Sequence, residues 1–228
     1  MTTLMKPDPR PSWSSGVSAV APAPCLLLIE DSALPPPLRQ TLADQVKILG
    51  GRSFVLPLRP GHAQHTRRAH LRELAEAYDA MVADVAQGPA GKPPVWVVAA
   101  GYGAYLATLL SHRRAIDRML LRSPKVYADS GWDLSLQALD ERHAKAAHHS
   151  ELAPNDNLAF CAASDYLGQV LIVDGPTEDV GTHGLHVDYF HAFSRARARN
   201  LQTLRAVSSA RTADDFPHVV QRWLGTAR

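Results

Sequence analysis

Short apolar runs alternate along the chain with stretches whose apolar residues recur every three or four positions. The runs are almost continuously apolar, as expected of strands that are covered on both faces, whereas the stretches have the period of amphipathic helices. This alternation predicts an α/β fold, with a mostly parallel, doubly wound sheet of about six or more strands and helices on both faces. The predicted strands are Leu26 to Ile29, Ser53 to Leu58, Val95 to Ala100, Met119 to Leu121, Val170 to Val173 and Leu204 to Val207.

The helical stretch from Thr66 to Ala86 carries Arg and Glu on the side opposite its apolar stripe, whereas the stretch from Ala104 to Ser111 is short and apolar. The predicted helices are a crossover helix containing Leu38 to Leu49, Thr66 to Ala86, Ala104 to Ser111, Trp132 to Lys145, a helix carrying Leu185 to Ala196, and a C-terminal helix carrying Phe216 to Leu224. An alternating basic run of Arg195, Arg197 and Arg199 is interpreted as a solvated helix end.

The 228 residues are expected to form one globular domain from residue 25 to residue 228. Residues 1 to 24 hold five prolines and few large apolar side chains, so we predict a flexible tail. A less regular stretch from about residue 128 to residue 168 is predicted to form a small lid-like insertion.

Composition and charge exclude several classes of protein. Lys+Arg 24 against Asp+Glu 22 gives a formal net charge of +2, too small to favour nucleic-acid binding. The chain has only two cysteines, Cys25 and Cys161, and no apolar leader, which favours a bacterial-type cytoplasmic protein. The longest uncharged run is interrupted by Gly101-Tyr102-Gly103, so no membrane span is predicted.

The same Gly101-Tyr102-Gly103 turn carries the most functional information, because it joins a buried strand to a helix. Two chemistries use such a turn. In a nucleophile elbow, small residues flank a serine held on a strained backbone near helix N-terminal amides. In a dinucleotide fingerprint, glycines let a pyrophosphate approach the helix, although Leu106 stands here in place of the third glycine.

Three segments resemble the α/β-hydrolase superfamily, and the resemblance extends from about Cys25 to Leu224. The segment from Phe54 to His62 is similar to the strand and R-G-H-G turn of these hydrolases, with Pro60 in place of the first glycine. The stretch from Ala99 to Leu106 resembles the elbow and its helix. The stretch from Val170 to Val180 resembles the strand and acid loop, written G-x-x-D-x-x-V-P in the family.

The resemblance implies the fold but puts the family's activity in doubt. The nucleophile position falls on Gly101, and the acid position falls on Glu178 with Asp179 beside it. Arg211 lies where the family has its base histidine, and Glu30-Asp31 replaces the H-G turn of the oxyanion hole. Two carboxylates there would repel a developing oxyanion.

We therefore hypothesise a non-catalytic hydrolase-like protein that acts by binding a small molecule or a protein partner, with no cofactor. Its pocket is predicted at the carboxyl ends of the strands. The residues predicted to form it are Glu30, Asp31, Gly101, Tyr102, Glu178, Asp179 and His183. One alternative is an active ester or thioester hydrolase with displaced catalytic residues. A second is a nucleotide-binding enzyme that uses the Gly101 turn.

Residues outside this turn offer weaker candidates. His183, close to Glu178 in sequence, would bring imidazole and carboxylate together, but the spacing of His183, His186 and His191 predicts no metal site. Ser123 and Cys161 are candidates for a displaced nucleophile, although a strand-ending turn explains the first and packing the second.

Overall fold

The computed structural model describes residues 22–30, 36–58, 65–86, 92–145, 157–175, 180–204 and 216–225. Within these ranges the strands are β1 Cys25–Glu30, β2 Arg52–Pro57, β3 Val95–Ala100, β4 Arg118–Arg122, β5 Gln169–Asp174 and β6 Ala198–Thr203. The helices there are α1 Pro36–Ile48, α2 Arg67–Ala86, α3 Gly101–Ser111, α4 Leu136–Lys145, α5 Leu158–Asp165, α6 Val180–Ala192 and α7 Phe216–Gly225.

The strands form one parallel sheet in the order β2-β1-β3-β4-β5-β6. Alternate residues of the four inner strands β1, β3, β4 and β5 enter two apolar clusters, because successive side chains point to opposite faces. Helices α1 and α7 cover one face, and α2, α3, α5 and α6 cover the other. This arrangement confirms the predicted doubly wound α/β fold. The strand order reverses between β1 and β3, so these two strands border the crevice in which such sheets bind ligands.

Helix α3 is the central helix of the second face, and it is apolar around its whole circumference. The residues from Gly101 to Leu110 are all buried. A Cβ atom at Gly103 would lie 3.0 Å from Cγ2 of Ile29 and 3.3 Å from its carbonyl oxygen. Glycine at this position therefore lets α3 approach β1 closely.

The sixth strand lies earlier in the chain than the sequence predicts. The apolar run from Leu204 to Val207 suggests a strand, but β6 comprises Ala198–Thr203, and of that run only Leu204 is described. An edge strand has one unpaired side and is largely exposed, so its residues are polar and give no apolar run. Arg199 consequently belongs to β6, and Arg195 lies in the turn before it, so the basic run is not a helix end.

Two helices begin at other residues than predicted, and the stretch from 128 to 168 contains a packed helix. Helix α3 begins at Gly101 instead of Ala104, and α4 begins at Leu136 instead of Trp132. Helix α5 packs on α3 with Ala159 in the core. Cys161 on the same helix is exposed, contrary to the predicted packing role. A lid stays a prediction for the rest of this stretch.

Among the described helices, none combines the length and apolarity that a bilayer crossing requires.

Replacing Gly103 with alanine should destabilise the protein by about 1–3 kcal/mol, because the new methyl group would press on Ile29 in a closely packed site. Gly184 of α6 is the matched control, since a Cβ there would meet no atom within 4 Å. Gly184→Ala should raise the free energy of unfolding by up to about 1 kcal/mol through helix propensity. Urea unfolding measures both. Equal effects of the two substitutions would contradict the close approach of α3 to β1.

Candidate functional site at the carboxyl edge of the sheet

Gly101 forms a tight turn at the carboxyl end of β3. It follows Ala100 directly as the first residue of α3, with φ +51°, and it is buried. Glycine adopts this left-handed conformation without strain, whereas side chains with a Cβ rarely do. Ala100 gives the helix no side-chain cap. The turn therefore has the backbone form of an elbow with no reacting side chain at its apex.

The neighbouring strands place two further residues beside this turn. Arg122 pairs with both Ala100 and Val173, so Gly101, Ser123 and Asp174 occupy successive positions in the next row across the sheet. Adjacent strands are about 4.8 Å apart, which separates Gly101 from Asp174 by about 10 Å. Ser123 has φ +44°, the one positive φ among the described non-glycine residues, and its amide donates to the carbonyl of Val173 at 2.8 Å.

Asp174 carries a buried carboxylate that binds two imidazoles. The residue is 1% exposed, and its Oδ1 atom accepts a hydrogen bond from Nδ1 of His186 at 2.6 Å. Its Oδ2 atom accepts from Nδ1 of His183, the residue three positions earlier on α6. An ionised carboxylate only accepts hydrogen bonds, so it holds both rings in the tautomer protonated at Nδ1. His186 is buried, whereas the side chain of His183 is 48% exposed.

An aromatic cluster supports the elbow from below. The rings of Tyr102 and Tyr105 are stacked with their centroids 6.1 Å apart, and Tyr127 packs edge-on against both. The hydroxyl of Tyr102 lies 3.1 Å from Nδ1 of His70 on α2. Burial raises the pKa of Tyr102 above its ordinary range. Because Tyr102 is 1% exposed, it belongs to the core and presents little surface to a ligand.

Arg67 joins this cluster to the segment that follows β4. Its fully buried guanidinium donates to the hydroxyl of Tyr105 at 2.7 Å and to the carbonyl of Ala128 at 3.0 Å. The guanidinium also lies 4.8 Å from the centre of the Trp132 ring. These contacts fix the backbone around Ala128 and Trp132 against α2 and α3.

The structure brings together part of the predicted pocket. Gly101 and Tyr102 share the α3 turn, and His183 lies near the carboxyl end of β5. The backbone of Glu30 ends β1, whereas Asp31, Glu178, Asp179 and Arg211 lie outside the described residues. Within the described residues the carboxylate that holds His183 is Asp174, and a further contact with Glu178 stays a prediction. No group of three or more His, Cys, Asp or Glu side chains within the described ranges is placed to hold a metal ion.

Three elements of the site escape sequence reasoning. Asp174 ends an apolar strand, and a charged residue at the end of such a strand is a signal in the sequence that could have identified it. His186 follows His183 at helical spacing, but nothing in the sequence indicates that its partner is Asp174. The pair of His70 and Tyr102 joins side chains 32 positions apart, which no local pattern reveals.

No protein-family model matches the chain, and no curated protein matches its sequence. Solved structures do match. Est1E from Butyrivibrio proteoclasticus is 12% identical, with a TM-score of 0.56 over 93% of this chain and 88% of that one. A structure reported for the metagenome-derived lipolytic enzymes LipS and LipT is 12% identical, with a TM-score of 0.59 over 91% and 94%. The monoacylglycerol lipase of Paleococcus ferrophilus is 12% identical, with a TM-score of 0.58 over 90% and 96%. At such low identity the likeness concerns the fold.

Asp174→Asn should lower the free energy of unfolding by about 2 kcal/mol, because the neutral amide loses a charge-assisted bond to each imidazole. Urea unfolding checks the loss, and nitrogen NMR of the histidines should show the Nδ1-protonated tautomer only in the unsubstituted protein. Asp79→Asn is the matched control. Asp79 binds Arg114 through both oxygens but is exposed, so its loss should be smaller. Equal losses would contradict the buried role of Asp174.

Tyr105 should make the stability of the protein depend on pH in the alkaline range. Burial raises its pKa from 10.0 to about 12, although Arg67 opposes the shift. Because the pKa of Tyr105 is raised in the folded state, its contribution to the free energy of unfolding is complete below pH 10 and is lost as the pH rises towards 12. The difference in unfolding free energy between the unsubstituted protein and Tyr105→Phe should therefore shrink over this interval. A constant difference in urea unfolding would contradict this assignment.

Proposed function

The chain has the α/β-hydrolase fold, and we propose that it is a non-hydrolytic protein of this fold. Its role is to bind a small molecule or a protein partner at the carboxyl edge of the sheet. The observation that carries the proposal is Gly101, which takes the left-handed backbone of the elbow but has no side chain that could attack a substrate.

The conformation of the turn gives this observation its weight. A serine in an elbow stands on a strained backbone, and such strain persists only where the surrounding structure maintains it. Glycine removes the strain, so the turn costs little here while α3 keeps its place beside β1. The elbow thus serves packing, and covalent catalysis from this position has no nucleophile.

Recognition falls to the polar groups beside the turn. His183 is half exposed and fixed in orientation by Asp174, so its Nε2 atom is available to accept a hydrogen bond from a ligand. The uncapped start of α3 adds backbone amides at the positive end of a helix dipole. Both cysteines are free thiols, which fits the proposed cytoplasmic location.

The proposal predicts no covalent labelling of the unsubstituted protein by a fluorophosphonate probe and no turnover of short or long nitrophenyl esters. Intact-mass measurement detects an adduct on any residue, because it assumes no particular nucleophile. Gly101→Ser is the companion variant, since it puts the missing hydroxyl back at the elbow. A stoichiometric adduct on the unsubstituted protein would overturn the proposal, whatever the behaviour of the variant.

The second candidate function is that of an enzyme whose displaced nucleophile is Ser123, and one observation favours it. Ser123 is strained at φ +44° and stands between Gly101 and Asp174 in the row across the sheet. Such an enzyme would hydrolyse an ester or thioester. An adduct that Ser123→Ala abolishes would establish this candidate.

A thermal shift with NAD(P) tests the nucleotide-binding alternative. Gly103 is weak support for that alternative, because the close packing of α3 against Ile29 already requires a glycine there.

A further inference from the structure

A cavity of about 340 Å³ lies on the other face of the sheet, between α7 and the strands β5 and β6. Its volume is within the usual range for small-molecule pockets. Its polar lining residues in the described part of the chain are Arg118, Arg199, Arg222, Gln169, Asn200 and Gln202, and none of the described lining residues is an aspartate or a glutamate. The guanidinium of Arg199 donates to two carbonyls of α6, which leaves Arg118 and Arg222 as the cations of interest.

Arg118 provides a buried positive charge at this cavity. It is 5% exposed, and its guanidinium carbon lies 4.6 Å from the centre of the Trp223 ring and 5.1 Å from that of Trp96. Burial lowers the pKa of Arg118, Tyr166 opposes this shift, and the charge of Arg197 adds to it. An anion in the cavity would offset part of the cost of burying this cation.

Beneath the cavity, the face of the sheet that α7 covers carries polar side chains from β5 and from the exposed edge strand β6. Gln169 precedes Leu171 by two residues on β5 and shares its face, and Asn200 pairs directly with Leu171. Gln202 continues the same face of β6. These three amides supply hydrogen-bond donors on one face of the sheet, while Arg222 in the last turn of α7 adds a second cation.

We propose that this cavity binds a small organic phosphate monoester. Two guanidinium groups, with no carboxylate among the lining residues that the structure describes, match the double negative charge of a phosphate. The side-chain amides supply further hydrogen-bond donors for the phosphate oxygens, and the ring of Trp223 offers an apolar wall for the organic part. The cavity begins at the amino ends of β4, β5 and β6, whereas Gly101 and Asp174 lie at the carboxyl ends of β3 and β5, so it is separate from the candidate site.

Arg118 also has a structural role, which decides how the site must be tested. Its Nη2 atom donates to the carbonyl of Trp223 at 2.6 Å and thereby caps the end of α7. Substituting Arg118 would disturb this cap together with any ligand, so the test leaves Arg118 in place. The variants are Arg222→Gln at the rim and Gln202→Leu on the exposed strand β6.

The experiment is calorimetric titration of the full chain with phenyl phosphate, followed in parallel by tryptophan fluorescence. Phenol is the neutral probe, and inorganic phosphate is the probe without an organic part. We expect saturable one-to-one binding of phenyl phosphate and none of phenol. Arg222→Gln should weaken binding by about tenfold, the value of one charge-assisted hydrogen bond, and Gln202→Leu should weaken it less.

Arg195→Gln is the matched control, because it removes the same charge from an exposed arginine that does not line the cavity. This variant should bind phenyl phosphate as the unsubstituted protein does. Three results would overturn the proposal: no saturable binding at millimolar concentration, equal weakening by Arg195→Gln and Arg222→Gln, or binding of inorganic phosphate alone. None of them bears on the elbow, whose test is covalent labelling.

Discussion

Gly103 lets α3 lie against Ile29 of β1 with no side chain between the helix and the strand. Such contact is possible only if α3 starts directly at the end of β3, because a longer loop would carry the helix away from the sheet. The left-handed turn at Gly101 makes that immediate start possible. Because other helices cover its outer side, α3 is buried from its first residue to Leu110. Helices α2 and α5 then pack on α3.

Buried charges in this protein are stabilised in three different ways. Asp174 accepts hydrogen bonds from two imidazoles, so each of its oxygens has a donor. Arg67 donates to a phenol and to backbone carbonyls, and it lies against aromatic rings. Arg118 lies between two tryptophan rings and donates to a helix carbonyl. Burying a charge is costly unless its hydrogen bonds are replaced, and all three residues obtain such replacements from separate parts of the chain.

The fold could be predicted from the sequence because each buried strand is an uninterrupted apolar run between helical stretches. The exception is instructive, since β6 at the sheet edge is largely exposed and its polar residues hide it. The apolar residues just after it suggest a strand that lies too late in the chain. The site was harder to predict than the fold. Gly101 and His183 stand out as residues, but the bond from His183 to Asp174 depends on how α6 turns back over β5. Arg67 and Tyr105 meet only because α2 and α3 pack together.

The structural likeness to esterases and lipases and the glycine at the elbow are compatible, because they depend on different properties of the chain. The likeness follows from the parallel sheet, the strand order and the close approach of α3. None of these requires a reactive side chain at residue 101. Catalysis requires a nucleophile, a base and an oxyanion site that act together, so loss of the first removes the use of the others. A glycine at the apex still gives α3 the same starting direction. The fold therefore does not depend on a nucleophile at residue 101.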